Sequence, residues 1–376
     1  MDTDLAIVGA GFAGLACAQA ARARGLSVVV LDKKRHAGAR VHTTGILVRE
    51  AAEIWPVPPR LVRAIPRVRL YAPDLRFFDL ASPGYEFLAT NTPALLDWFA
   101  EETAAHGAEI LWDRSFAGAR RENGRVVLDP YGIRARYLVG ADGARSRVAQ
   151  GFGLGENRHF LVGVEAEYEG VAGVDEAFLH TFLDRRLAPG YIGWLVPGPD
   201  GITQIGLACS RPERPDLARF VDRVASVFDF SRARVVARRS GAIPVGGRVR
   251  RFAAPGVLLV GDAAGLVSPL TAGGIYTALK FGRRAGGLIA DHLATGEIDP
   301  AAVLAREYPR FFWKGLLRRL ADRGVPDAIV NRALAFPPAR RLAQLVYFHS
   351  KGLGSAAAWR DLVGPGSKVD GEAGRR

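Results

Sequence analysis

Cysteine, lysine and long apolar runs are all scarce in this sequence. Only Cys17 and Cys209 occur among 376 residues. That excludes a disulfide-stapled scaffold, leaves too few thiolates for an iron–sulfur cluster, and makes a reducing compartment, the cytoplasm, the expected home. Arg, Asp or Gly interrupts every apolar run before the roughly 18 residues that a membrane-spanning helix needs. The start, Met1-Asp2-Thr3-Asp4, is acidic where a secretory signal is basic, so no export signal is expected. Lysine is missing between Lys34 and Lys280, and arginine supplies nearly all the positive charge behind a net +13. That charge is scattered, with no basic segment interleaved with stacking aromatics, which argues against nucleic acid as a partner. Repeats and low-complexity tracts are absent too, and the C-terminal end reads as a frayed tail.

What is present is the balance of a folded protein, with 49% hydrophobic and 24% charged residues. At roughly 100 to 200 residues per domain the length allows two or three structural units. Leu5 to Val8 form an apolar strand leading into Gly9-Ala10-Gly11-Phe12-Ala13-Gly14. An Ala-rich helix then runs to Arg24, where Gly25 can end it, and a buried strand over Ser27–Leu31 closes on Asp32. Strand, glycines, helix, strand and terminal acid arrive in the order of a dinucleotide-binding βαβ unit. Gly9 permits the tight turn, Gly11 lets backbone approach a pyrophosphate, and Gly14 lets helix and sheet pack closely. Asp32 is placed to accept hydrogen bonds from a ribose and argues against a 2′-phosphate there, with Lys33 beside it.

From 46 to 89 the pattern is mixed, with a short helix over Val48–Ile54 and prolines at 56, 58 and 59. A helix is predicted from Pro93 to His106, then a strand over Ala108–Leu111. Arg136–Val139 form another strand, emptying into a turn that contains Asp142-Gly143. From about 160 to 242 strand-like segments alternate around one helix near Leu217–Phe228, as in an antiparallel sheet. Val257–Val260 then lead into Gly261-Asp262, and a helix follows Gly273-Gly274-Ile275. The expectation is an α/β protein with a discontinuous, three-layer Rossmann-like domain. Residues 1–155, with a mixed insertion at 46–89, and 246–295 make up that domain. An inserted, mainly antiparallel sheet domain covers 156–245, and a C-terminal helical region covers 296–376.

The N-terminal GAGFAG, the central Asp142-Gly143 and the late Gly261-Asp262, followed by Pro269 and Gly273-Gly274, together resemble the FAD-dependent oxidoreductases of the p-hydroxybenzoate hydroxylase type. The resemblance runs from about Leu5 to Leu288. Within that group, GDAAGLVSPLTAGGIYTALKFG is similar to the geranylgeranyl reductase branch, whose members saturate prenyl double bonds. The resemblance implies that Asp262 holds the ribityl chain and that the N–H groups of Gly273, Gly274 and Ile275 face the flavin's N1/C2=O edge. Arg40-Val41-His42-Thr43-Thr44-Gly45 lies where the reductases carry Lys-x-Cys-Gly-Gly-Gly beside the flavin. That marks Arg40, Thr43, Thr44 and Gly45 as candidate contacts. His42, at the cysteine's place, is either a proton donor or a simple hydrogen-bonding group. Tyr191 and Trp194 sit in a stretch similar to the reductases' cavity-lining aromatic-x-Trp-x-Phe-Pro, although Ile192 and Val196 depart from it. Trp194 as core filling is the alternative. Thr90-Asn91-Thr92 stands where the family often has an arginine, and Ala149 ends the Asp-Gly motif where NAD(P)H-using hydroxylases have another, so NAD(P)H is only a candidate reductant.

The expected activity is reduction of an isoprenoid double bond, with hydride from flavin N5 and a proton to the other carbon, in an apolar tunnel of the inserted domain. An NAD(P)H- and oxygen-dependent aromatic hydroxylase is the alternative on the same fold, and a membrane-surface electron-transfer flavoprotein the alternative of another class. The lysine gap and Ile192 speak against a halogenase. The expected partners are an apolar prenyl molecule and, as options, an electron-donor protein and the inner membrane face. For the last, Phe311 to Leu320 offers an amphipathic helix, with packing of its apolar side on the protein body as the competing reading. No metal is expected.

Overall fold

The computed structural model describes residues 1–333 and 336–348; Leu334, Ala335 and 349–376, which carry the expected frayed tail, lie outside the described residues. The apolar strands of the sequence stack into one eight-stranded sheet. Its main path runs Ala253–Ala254, Val257–Leu259, Ile133–Gly140, Asp2–Val8, Val28–Leu31 and Glu109–Leu111. The four central pairings are parallel, and Val28–Leu31 is buried along its whole length, as a strand covered on both faces must be. The first helix, Phe12–Arg22, packs against the late helix, Ile275–Thr295, so closely that a Cβ at Gly282 would run into the carbonyl of Ala13. Two segments far apart in the chain thereby become neighbours at the same end of the sheet.

A second sheet has seven strands in the order Arg234–Pro244, Phe160–Glu169, Ile202–Ser210, Gly193–Pro197, Phe178–Phe182, Arg67–Tyr71 and Phe77–Ala81. All pairings are antiparallel except that of Phe178–Phe182 with Arg67–Tyr71. Its last two strands come from the 46–89 insertion, which the sequence reading grouped with the nucleotide domain. Val68, Leu70, Phe78 and Leu80 bury with Leu179 and Val196, so the pair completes the inserted sheet instead. The rest of the insertion, Ile46–Leu47, Val62–Ile65 and Phe87–Thr90, forms a separate three-stranded sheet.

One face of the seven-stranded sheet is closed by the helix Leu217–Val224 over Ala166, Tyr168, Phe182, Leu195 and Leu207. The opposite face turns toward the nucleotide domain, where Ala272 packs against a cluster containing Leu161 and Ala208. C-terminal helices follow at Pro300–Glu307, Phe312–Arg323, Asp327–Ala333 and Pro337–Phe348. Tyr308 anchors them: it is 2% exposed, donates its hydroxyl to the Leu259 carbonyl at 2.9 Å, and packs on Phe252 and Phe281. Arg318, also buried, pairs with Asp322 on its own helix and ties Phe312–Arg323 to the inserted domain by donating to the Gly190 carbonyl. Among the described residues no helix is long and apolar enough to cross a membrane.

Tyr308→Phe leaves the buried Leu259 carbonyl without its donor and should cost about 1–3 kcal/mol. Tyr308→Ala, which also opens a cavity, should cost about 3–5 kcal/mol. Urea unfolding of the two variants checks the ranking.

Candidate cofactor and substrate site

A cavity of about 1780 Å³ lies between the nucleotide sheet, the cavity-facing side of the inserted sheet and the C-terminal helices. At one end the first strand turns through Gly9, whose φ of +109° and contact with the Ala141 carbonyl admit no side chain. Gly11 differs: nothing lies within 4 Å of where its Cβ would be, so open space meets bare backbone at the start of the helix. No side chain caps that helix, and its leading N–H groups, which have no partner within the helix, are left for an anion. Asp32 closes this end. Its carboxylate accepts the Ala10 N–H at 2.7 Å and the Lys34 N–H at 2.9 Å, while the exposed Lys33 and Arg40 bring positive charge to the rim.

The late helix repeats the arrangement. It starts at Gly274 with no side-chain cap, and Gly273, Gly274 and Ile275 all line the cavity. Asp262 faces it from the preceding turn. Among the described residues no hydrogen bond reaches its carboxylate, and loss of solvation raises the group to about 6. A poorly solvated carboxylate without a partner is costly in a finished protein and reasonable in a binding site that awaits hydroxyl donors. The groups present therefore fit a flavin dinucleotide: two open helix ends for its anionic parts and two carboxylates for its sugar-like hydroxyls.

Other expected contacts fall differently. Asp142 lines the cavity, but its oxygens are taken by Ser146 Oγ at 2.6 Å and by the N–H groups of Arg147 and Val148. It shapes its own loop and presents the backbone at Gly143. Ala10, Gly14, Gly261 and Pro269 do not line the cavity; all four are buried in the scaffold behind it. Arg40, His42, Thr43, Thr44 and Gly45 do line it. Thr90 and Thr92 donate to the carbonyls of Gly45 and Thr44, so the residues found in place of the family's arginine pin this loop. His42 is exposed, with Nδ1 2.7 Å from the Ser240 carbonyl. A carbonyl only accepts, so Nδ1 carries the hydrogen, and neutral His42 keeps only a lone pair at Nε2. It can give up a proton from Nε2 only as the imidazolium.

Tyr191 and Trp194 both line the cavity; Tyr191 donates to the Thr271 carbonyl at 2.7 Å. Trp194 donates through Nε1 to Glu165 at 2.8 Å. Glu165, Glu167 and Arg239 had escaped the sequence reading. Strand alternation puts both glutamates on one side of Phe160–Glu169, apolar residues on the other, and that pattern ordinarily means a solvated face. Here the face is the cavity wall.

Residues 94–299, more than half the chain, match the FAD binding domain family, and residues 7–64 match an NAD(P)-binding Rossmann-like domain. With two open helix ends converging on one cavity, this makes the protein an FAD-dependent oxidoreductase. Digeranylgeranylglycerophospholipid reductase 2 of Methanopyrus kandleri is 33% identical over 82% of the chain and 81% of its own length. Digeranylgeranylglycerophospholipid reductase of Methanothrix thermoacetophila is 31% identical, over 82% of each. The chain belongs to the geranylgeranyl reductase family. Among solved structures, a geranylgeranyl bacteriochlorophyll reductase-like protein from Thermoplasma acidophilum has the same fold, with a TM-score of 0.81 at 18% identity over 93% of this chain and 97% of that one.

Asp262→Asn separates binding from stability. Because the folded-state value of about 6 lies above the ordinary 3.8, the ionised group opposes folding, and cofactor-free protein loses stability as pH rises between these values. The variant should raise the thermal midpoint of cofactor-free protein at pH 8 and weaken FAD binding roughly tenfold or more, the cost of about one hydrogen bond to a charged group. Calorimetry and FAD titration check the two signs.

Proposed function

We propose that the protein saturates carbon–carbon double bonds of a prenyl chain carried on a lipid, using bound FAD. The observation that carries this reading is the continuity of the cavity. It runs from the loop at Thr43–Gly45, past Trp194 and Tyr191, to Leu342, Val346 and Tyr347 of the last described helix. Its long, largely apolar wall suits an extended hydrocarbon. The kinship with digeranylgeranylglycerophospholipid reductases supports the same substrate class.

FAD, when bound and reduced, supplies a hydride from N5. The chain supplies everything else. The two helix N-termini, with Asp32 and Asp262, would hold the cofactor along the nucleotide end. Trp194 and Tyr191 would align a double bond, and the apolar wall excludes water. An unpolarised alkene offers no charge to grip, so rate must come from holding the reacting atoms together.

The entrance favours a membrane surface as the source of substrate. Helix Phe312–Arg323 lines the cavity with Phe312, Trp313, Lys314 and Ala321 while leaving apolar side chains in water: Phe312 is 74% exposed, Trp313 47%, Leu316 42% and Leu320 49%. Its buried arginine, Arg318, points inward, the reverse of a helix that packs its apolar side on the body. Arg319 and Arg323 flank the apolar patch and would meet anionic headgroups.

The decisive experiment is anaerobic: photoreduced enzyme is mixed with prenyl lipids and quinones, and flavin reoxidation and product mass are followed. Prenyl compounds should reoxidise the flavin and gain two hydrogens per bond. Reoxidation by quinones alone, or oxygen incorporation into an aromatic compound, overturns the reading. In sedimentation with anionic vesicles the wild type should bind and be released by salt, whereas Leu316→Glu with Leu320→Glu should stay in the supernatant.

A further inference from the structure

Reduction of an alkene needs a proton as well as a hydride, and one buried carboxyl stands at the cavity wall. Glu165 sits in the middle of Phe160–Glu169, with Gly206 beside it on one neighbouring strand and Arg239 on the other. Gly206 in turn neighbours Trp194. A Cβ at 206 would lie 2.6 Å from the Trp194 ring and 2.8 Å from the Val164 carbonyl. The bare backbone there lets the indole lie across the strand and deliver its N–H to Glu165 Oε2 at 2.8 Å. From the cofactor-side loop, Thr44 Oγ1 comes within 2.5 Å of the same oxygen.

Glu165 is only 3% exposed, and its other oxygen, Oε1, has no hydrogen bond among the described residues, only an ion pair with Arg239 Nε at 3.3 Å. Arg239 is shared. It donates to the Thr43 carbonyl at 2.9 Å and pairs with Glu167. Among the described residues, the charged groups beside Glu165 are therefore Glu167 on its own strand and Arg239 on the next. Strands Ile202–Ser210 and Gly193–Pro197 present the uncharged Gly206 and Trp194. Two carboxyls share one guanidinium in a buried cluster, so keeping one of them protonated avoids a buried excess charge. Burial raises the Glu165 carboxyl, against the opposing pull of Arg239, Thr44 and Trp194.

We propose that Glu165 stores the proton of the reduction and that the Thr44 hydroxyl delivers it. The Thr44 O–H bond breaks as a C–H bond forms on the carbon that does not receive the hydride. The Glu165 O–H proton moves across the short contact to Thr44 Oγ1 and restores the hydroxyl. Glu165 is left as a carboxylate, held by the Trp194 N–H and the nearby Arg239 charge, and regains a proton from water before the next turnover. The two electrons come from the reduced cofactor, which is oxidised. Thr44 is the catalytic residue and Glu165 acts through it. The proposal rests on the alkene-reductase reading above.

Infrared difference spectroscopy of the FAD-bound enzyme, oxidised against photoreduced and in H2O against 2H2O, tests the store without turnover. A protonated carboxyl C=O band should be present at neutral pH, vanish in Glu165→Gln, and shift in Thr44→Val. With a prenyl substrate and saturating FAD, Glu165→Gln and Thr44→Val should each slow flavin reoxidation by about 10²-fold or more. Thr44→Ser should restore most of the rate. The wild-type rate should fall as pH rises through the Glu165 titration, and that limb should disappear in Glu165→Gln. Absence of the band, or wild-type rate and pH profile in Glu165→Gln, overturns the proposal. If the band is present but no prenyl compound reoxidises the wild type, the alkene-reductase function fails, and with it Thr44 as donor to carbon.

Discussion

A dinucleotide brings negative charge into a protein interior, and the fold answers with backbone rather than with side chains. The N-termini of Phe12–Arg22 and Ile275–Thr295 both open into the cavity without a capping side chain. Such ends are usually satisfied internally, because a free N–H out of water is costly. Leaving two of them open at one place makes sense only when a ligand completes them. The rest of the architecture follows from that: the tight turn at Gly9, the bare backbone at Gly11, and the close crossing of the two helices at Gly282 hold these ends in register.

The same logic governs the polar side chains. Among the described residues no hydrogen bond reaches the Asp262 carboxylate, Glu165 stays buried with one oxygen lacking a hydrogen bond, and Trp194 gives its only donor to a carboxylate. The two carboxyls left short of donors lower the stability of the empty protein. That burden is carried by dense packing elsewhere, as around Tyr308, where two aromatic neighbours and a buried hydrogen bond join the C-terminal helices to the nucleotide core. Sites where local rules are broken and the surroundings compensate are where function concentrates.

Much of the nucleotide end was legible in the residues themselves. The order of Leu5–Val8, the glycines, the helix and Asp32 specifies a βαβ unit locally, and Gly261-Asp262 with Gly273-Gly274 marks its return. Local legibility also misled. Ala10, Gly14, Gly261 and Pro269 belong to the same motifs yet support the cavity from behind, and Asp142 spends its carboxylate on its own loop. A motif names a stretch of chain, and only the side of that stretch that turns outward meets the ligand. Strands Arg67–Tyr71 and Phe77–Ala81 belong to the insertion grouped with the nucleotide domain yet pair into the inserted sheet, because sequence proximity says nothing about which edge has unpaired hydrogen-bonding groups to offer.

The sequence by itself determined the class of fold and a turn for an adenine dinucleotide, because these depend on glycine geometry and short-range periodicity; the flavin was implied by the family resemblance. Tertiary structure decided what the inserted sheet does. In isolation the face carrying Glu165 and Glu167 reads as solvated, since alternating charge and apolar residues is what water on one side produces. Packing of that face against the nucleotide domain removes the water, and the same carboxyl then lies between Thr44 and Trp194, which are 150 positions apart in the chain. The energy of a buried acid depends on its neighbours, and no local pattern encodes neighbours that only folding brings together.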